Sequence, residues 1–177
     1  MEGGRASRRK LRHPIDSDTI DTGMKAKATI TTVALCFVGA ALCFAEDANT
    51  GTWKLDDAKS ELGPGAPKND TVIYEAAGDN VKITVRGTDK DGKPNRNEWT
   101  GKFDGKDYPV IGDPISDVRS YTKINDRTLG FNFKKGGKRT ACGRIQVSAD
   151  GKRRTVTMLG IDSNGKKVVS IAVYNKQ

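Results

Sequence analysis

The stretch NVKITVRGTDKDGKPNRNEWTGKFDGKDYPVIG, residues 80–112, decides the fold of this chain. Its segment 81–86, VKITVR, alternates apolar and polar side chains, which is typical of a strand with one buried face. The triplet DGK follows at 91–93 and again at 104–106. Such a triplet supplies a glycine where a tight turn needs a left-handed backbone. The stretch therefore predicts antiparallel strands that are joined by hairpin turns.

The same kind of turn recurs along the chain. DGK returns at 150–152, NGK stands at 164–166 and GGK at 136–138, and the turn signals are mostly 11 to 14 residues apart. That spacing is typical of an antiparallel meander. It predicts ten strands, at 51–57, 70–76, 81–88, 95–103, 106–111, 117–124, 127–134, 138–148, 152–161 and 166–175.

A twisted open sheet of so many strands tends to curl, and closure removes its unpaired edges. We therefore expect an all-β fold, an up-and-down meander that closes into a barrel of about 8–10 strands. A sandwich of two sheets is the alternative, with Pro109 and Pro114 marking the place where the ladder would open. One turn of helix is expected within 56–62, capped by Asp57.

An apolar run precedes the first predicted strand. Residues 28–45, ATITTVALCFVGAALCFA, follow Lys25 and Lys27 and end in small residues. This pattern predicts a signal peptide over 24–45, with a membrane anchor as the alternative. Residues 1–23 are then an over-long start or a disordered extension. We expect one domain over 46–177, exported to the periplasm or secreted, with no membrane span after cleavage.

Removal of the signal peptide changes the chemistry that the chain can carry. The domain keeps 24 Lys and Arg against 18 Asp and Glu, has no histidine, and retains one thiol, Cys142. General-base and nucleophilic catalysis near neutral pH usually recruit histidine, and soft metals need histidine or clustered cysteine. We therefore expect no catalytic residues, no metal site and no cofactor, and we expect that the chain is not an enzyme.

The basic residues fall in short groups near predicted turns, at 134–135, 138–139, 152–154 and 166–167. Charges in these places keep strand ends soluble and protect sheet edges. A basic rim that attracts anionic polymers is the alternative interpretation. We expect no nucleic-acid partner.

The first predicted strand carries a family resemblance. Its GTWKL sequence, 51–55, resembles the G-x-W motif of lipocalins and the start of fatty-acid-binding proteins, and residues 172–177 resemble the last strand of the latter. As a whole the chain resembles small exported bacterial lipocalin-like (calycin-type) β-barrel proteins of uncharacterised function. The resemblance implies a barrel with an internal cavity for a small apolar or amphipathic ligand.

The chain also departs from those families. Only residues 58–69 are available where fatty-acid-binding proteins insert a helix-turn-helix lid. Their R-x-Y pair, which reaches the ligand carboxylate, is replaced by AVY at 172–174. The lipocalin T-D-Y motif is absent, because TD at 88–89 continues into lysine. The implied barrel is less affected by these differences than the implied binding of fatty acids.

Aromatic side chains at alternating strand positions are the candidate ligand contacts. For Trp53 we favour a packing role, under Lys176 or a neighbouring arginine. A second hypothesis is a structural or envelope-interaction module with a filled barrel, and a continuous cavity of roughly 300 Å³ or more would favour the carrier instead. The predicted lining consists of Trp53, Tyr74, Trp99, Phe103 and Tyr174.

Overall fold

The computed structural model describes residues 47–161 and 165–177. The predicted signal peptide and the 1–23 extension lie outside the described residues. Within them the chain forms β1 (Gly51–Leu55), β2 (Lys68–Ala77), β3 (Asn80–Thr88), β4 (Pro94–Gly101), β5 (Tyr108–Ile111), β6 (Val118–Asn125), β7 (Thr128–Lys135), β8 (Lys138–Val147), β9 (Arg153–Ile161) and β10 (Lys167–Lys176).

These ten strands form one closed barrel in which each strand pairs with its neighbours in sequence. Every pairing is antiparallel, and β1 closes the barrel on β10 with Trp53 opposite Lys176 and Leu55 opposite Tyr174. The predicted all-β meander barrel is therefore confirmed, and the two-sheet alternative is wrong. Closure leaves β1 and β10 without the free edges that an open sheet would expose.

The glycine turns adopt the backbone that the sequence predicted. Gly92 has φ +75° in the β3–β4 turn, and Gly151 has φ +70° in the β8–β9 turn. Other residues reach this left-handed region only at an energetic cost. Glycine at these positions therefore fixes where each hairpin turns, and with it the register of the strands on either side.

The hydrogen-bonded ladder of the barrel is shortest at β5. This strand pairs with β4 at Glu98–Ile111 and Trp99–Val110, and with β6 at Tyr108–Arg119 and Pro109–Val118. Proline has no N–H to donate, which shortens the ladder here. The strand ladder nevertheless continues across β5, so the opening that the sandwich alternative placed at Pro109 and Pro114 is not formed.

The connection from β1 to β2 is short and mostly extended. It contains one turn of 3-10 helix, Asp57–Lys59, in place of the lid helices of fatty-acid-binding proteins. The expectation that Asp57 caps this turn is wrong: Asp57 is its first residue, and Asp56 precedes it without a side-chain capping bond. The connection then runs along β10, where Glu61 and Ile171 form an isolated bridge.

Alternate turns of the barrel lie at opposite ends. We call the end with the start of β1 and the β6–β7 and β8–β9 turns the closed end, and the end with the β3–β4, β5–β6 and β7–β8 turns the open end. Within the described ranges, no helix is sufficiently long and apolar for a membrane span.

Candidate functional site

The closed end is plugged by a cation among aromatic rings. Trp53 is fully buried, and the guanidinium carbon of Arg154 lies 5.0 Å from the centroid of its ring. The same carbon lies 4.9 Å from the Tyr74 ring and 4.8 Å from the Tyr174 ring. Lys176 adds an ammonium 5.6 Å from Trp53. The structure thus shows Trp53 packed under both Lys176 and an arginine, as the packing hypothesis predicted.

Hydrogen bonds and pKa values describe this plug further. Trp53 Nε1 donates to the carbonyl oxygen of Asn49 at 2.7 Å. Arg154 Nε and Nη1 have no hydrogen-bond partner among the described residues, so the negative ring faces are their nearest compensation. Burial raises the pKa of Tyr174 to about 12 and that of Tyr74 as well, and Arg154 opposes both shifts. The two phenols therefore stay neutral beside the guanidinium.

The middle of the barrel is filled by stacked rings. Trp99 is fully buried, with its centroid 4.7 Å from Tyr121 and 6.2 Å from Phe103. The interior is therefore closely packed at this level. A Cβ atom on Gly101 would lie 2.5 Å from Cγ of Tyr108, because aromatic rings already occupy its space.

The open end contains a cavity of about 470 Å³. Its walls come mainly from β8, β9, β10 and the segment 61–67, which we call the strap. Most lining side chains are aliphatic or small. The full lining among the described residues is Pro64, Gly65, Ala66, Pro67, Lys90, Ile115, Lys135, Thr140, Ala141, Met158, Gly160, Ile161, Val168 and Ser170.

The cavity lies where alanine, glycine and valine meet at one level of three neighbouring strands. Ala141 of β8 pairs with Gly160 of β9, and Gly160 pairs with Val168 of β10. A Cβ atom on Gly160 would come no closer to other residues than 3.9 Å, from the carbonyl oxygen of Thr140. The inward face of the barrel therefore lacks the side-chain volume to fill its own interior at this height.

The strap is fixed against β10. Glu61 and Ile171 exchange backbone hydrogen bonds of 2.7 and 2.8 Å, and the Gly63 N–H donates to Ser170 Oγ at 3.0 Å. A Cβ atom on Gly63 would lie 2.1 Å from Cγ1 of Val168, so only glycine permits this approach. One wall of the cavity is therefore held in place before any ligand arrives.

The opposite wall is held by a buried ion pair. Arg119 Nη2 lies 2.6 Å from Asp113 Oδ2, and these side chains are 6% and 3% exposed. Arg119 Nε also donates to Ser116 Oγ at 3.2 Å, and its guanidinium carbon lies 4.4 Å from the Phe133 ring. These contacts anchor the β5–β6 loop, which brings Ile115 to the cavity.

The mouth of the cavity is cationic. Lys90 and Lys135 are its charged lining residues, and no carboxylate lines it within 47–161 and 165–177. Lys90 Nζ donates to Asp91 at 2.8 Å, and Lys135 Nζ donates to the carbonyl oxygen of Pro114. Lys90 is thus ion-paired with Asp91, and Lys135 supplies the positive charge at the mouth of a mainly apolar chamber.

None of the five predicted ligand contacts lines this cavity. The structure brings Trp53, Tyr74 and Tyr174 together at the closed end, and it places Trp99 and Phe103 in the central ring cluster. Their contact with a ligand stays a prediction. The sequence prediction did not include the residues that line the cavity. The signal that could have found them is the alignment of small residues on neighbouring strands, which can be read once the turns fix the strand register.

A shallow groove of about 430 Å³ lies on the outside of the barrel. Its lining includes Gly130, Cys142 and Leu159. Over the described part of the chain, no three His, Cys, Asp or Glu side chains are grouped to hold a metal ion. The absence of catalytic function stays a prediction.

No protein-family model matches this chain, and no curated protein matches it either. Among solved structures it is similar to a redesigned β-barrel, mFAP1, bound to DFHBI. The two chains are 16% identical with a TM-score of 0.41, and the match covers 73% of this chain and 95% of the other.

Proposed function

We propose that this chain is an exported barrel that binds one small apolar or amphipathic molecule in the open-end cavity. The observation that carries the proposal is the cavity of about 470 Å³. Ligand pockets for small molecules begin at roughly 300 Å³ and are mainly apolar with a few polar groups. The sequence of residues 24–45 supports the export part of the proposal.

Binding would be driven by the removal of apolar surface from water, at about 25 cal/mol for each Å² buried. The strap and the β5–β6 loop are already anchored to β10 and Arg119. Preformed walls spare the cost of ordering them on binding, which raises affinity. The buried Ser170 hydroxyl accepts from Gly63 and keeps its own proton to donate to a polar atom of the ligand.

The cationic mouth gives the ligand an orientation. Lys90 and Lys135 stand at the rim, while Ala141, Met158 and Val168 line the chamber. An amphipathic molecule would bury its apolar part against these side chains and leave its polar end near the lysines. That arrangement avoids the desolvation of a polar group without a partner.

The second candidate function is a surface module whose barrel holds no ligand. The central ring cluster around Trp99 and Tyr121 favours it, because it fills the middle of the interior. The cavity at the open end favours the carrier. The two hypotheses differ in whether filling that cavity changes the binding of a small apolar probe.

A pair of glycine variants makes this test. Gly160→Leu places a side chain in the cavity, where a Cβ atom has room. Gly130→Leu is the matched control on the outer surface, where the nearest atom to a Cβ would be the flexible end of Ile124 at 3.4 Å. Titration with the neutral fluorophore N-phenyl-1-naphthylamine measures binding, and circular dichroism verifies that both variants fold.

We expect wild type and Gly130→Leu to bind the probe equally. Gly160→Leu is expected to bind it at least about tenfold more weakly, because a filled cavity removes the apolar contacts. Equal binding by both variants would contradict the site, and absence of probe binding by the wild type would favour the surface module. Export is tested separately, by fractionation of cells that produce the full chain.

A further inference from the structure

Four cations meet at the tip of the β7–β8 hairpin, on the open end. We call residues 134–139, KKGGKR, the basic tip. Lys134 pairs with Arg139 and Lys135 pairs with Lys138, so two successive cross-strand pairs bring like charges opposite each other. Like charges in this position destabilise a hairpin. Two carboxylates also lie at the tip, Asp107 on Lys134 and Asp117 on the Gly136 N–H, so four cations against two anions leave a net positive charge.

Only one of these cations is neutralised by an ion pair in the described part of the chain. Lys134 Nζ lies 2.6 Å from Asp107. Lys135, Lys138 and Arg139 are exposed, and no salt bridge forms on them among the described residues. The sequence after β9 adds one aspartate, at 162, against lysines at 166 and 167. Charge at a strand end alone is common on solvated surfaces.

The second observation is an exposed apolar surface beside the basic tip. Leu159, Ile161 and Val169 are 39%, 58% and 57% exposed, and we call them the outer patch. Leu159 lies opposite Val169 in the β9–β10 ladder. Ile161 lines the mouth of the cavity together with Lys135. The outer patch and the basic tip are therefore parts of one rim.

We propose that this rim docks on the surface of a membrane that contains anionic phospholipid. Lys135, Lys138 and Arg139 would lie at the lipid phosphates, and Ile161 and Val169 would enter the interface. Surface potential attracts cations within a Debye length, and aliphatic side chains add affinity that charge alone does not give. Docking in this orientation turns the cavity mouth toward the lipid.

The chemistry of the rim favours lipid over nucleic acid. Proteins that bind single strands without sequence preference stack bases on aromatic rings. The exposed side chains of the outer patch are aliphatic. An aliphatic surface with adjacent cations matches an acyl and phosphate boundary. Binding to the membrane does not depend on a cavity ligand, so this inference stands or fails separately from the proposed function.

Vesicle flotation tests the electrostatic contribution of the basic tip to membrane binding. The vesicles consist of phosphatidylcholine alone or of phosphatidylcholine mixed with phosphatidylglycerol. One variant replaces the exposed cations of the basic tip, Lys135→Gln, Lys138→Gln and Arg139→Gln. The control replaces three exposed cations at the closed end, Arg127→Gln, Lys152→Gln and Arg153→Gln, with the same change in net charge.

We expect wild type to float with the mixed vesicles and to be released by high salt. Each cation near an anionic surface contributes about fivefold, so the basic-tip variant should lose about 100-fold in partition coefficient. The control variant should change by less than about threefold if the rim, rather than net charge, is responsible. Equal losses in the two variants would overturn the assigned surface.

Serine variants test the contribution of the outer patch to membrane binding. Ile161→Ser and Val169→Ser together should weaken flotation by at least about tenfold, because burial of two aliphatic side chains is lost. Ile124→Ser, 51% exposed at the closed end, is the matched control and should leave flotation unchanged. Unchanged flotation of the double serine variant would overturn the proposal. So would binding of the basic tip to single-stranded DNA without binding to vesicles.

The variant Gly160→Leu separates the two proposals. It should lose probe binding in solution and keep vesicle flotation, since its side chain points into the cavity. Loss of flotation in Gly160→Leu with an intact fold would contradict a docking surface that acts independently of the cavity.

Discussion

Two alanine substitutions test whether the barrel has a filled half and a hollow half. Gly143 of β8 and Gly160 of β9 both lie in strands and face inward. A Cβ atom on Gly143 would lie 2.0 Å from the carbonyl oxygen of Thr157 and 2.7 Å from Cζ of Phe131. The corresponding atom on Gly160 would have only Thr140 within 4 Å, at 3.9 Å.

The expected costs follow from these distances. Gly143→Ala forces atoms into backbone and a packed ring, and overpacking of this kind costs about 3 kcal/mol. Gly160→Ala meets no obstacle and lowers the entropy of the unfolded chain, which stabilises by about 0.4–1 kcal/mol. For a domain of this size 1 kcal/mol shifts Tm by about 4 °C. Gly143→Ala should therefore melt about 10 °C lower, and Gly160→Ala about 2–4 °C higher.

Thermal unfolding followed by circular dichroism measures both shifts, and urea titration converts them to free energies. The two substitutions are chemically identical, so their difference of about 4 kcal/mol reports the space available at each height of the barrel. Similar losses in both variants would refute the division of the interior. They would also remove the physical basis for a ligand in the open end.

Two further predictions concern buried polar groups. Tyr174 has a folded pKa of about 12 against an ordinary value of about 10, so its contribution of about 3 kcal/mol is complete below pH 10 and is lost as the pH rises toward 12. Urea unfolding across this range should show the decline and a shallower one in Tyr174→Phe; constant stability would contradict it. Asp113→Ala leaves Arg119 buried without its partner and should cost about 3–5 kcal/mol in urea unfolding at neutral pH. Adding Arg119→Met should restore most of that loss, and a double variant as unstable as Asp113→Ala would contradict the assignment.

The fold could be predicted because its determinants are local. The alternation in segments such as 81–86 indicates which face of each strand is buried, and the glycine triplets indicate where it turns. Most predicted strands, such as 81–88, match the structure to within two residues at each end. The predicted cap at Asp57 is wrong because the position of a one-turn 3-10 helix depends on the residues that flank it. Here the flanking residues form backbone hydrogen bonds with β10.

The position of the site could not be predicted in the same way. The alternation of apolar and polar residues indicates that Trp99 and Ala141 both face inward. It does not indicate the height of either residue along the barrel axis. Large aromatic residues were the natural candidates for ligand contacts, since they combine apolar area with polar tips. In the structure such rings pack on one another or on Arg154 and fill the closed half. The cavity instead lies beside the small inward residues Ala141 and Gly160.

The hollow and filled levels both follow from register. Tyr121, Phe131 and Gly143 are aligned across β6, β7 and β8, so the one glycine accommodates the rings beside it. Toward the open end the aligned set is Phe133, Ala141, Gly160 and Val168, in which two neighbouring strands contribute small residues. Turn glycines fix that register, so exchanging inward residues between the two levels would move the cavity without changing the fold. A barrel of this kind therefore keeps its architecture in the turns and forms its cavity beside the inward residues of β8, β9 and β10.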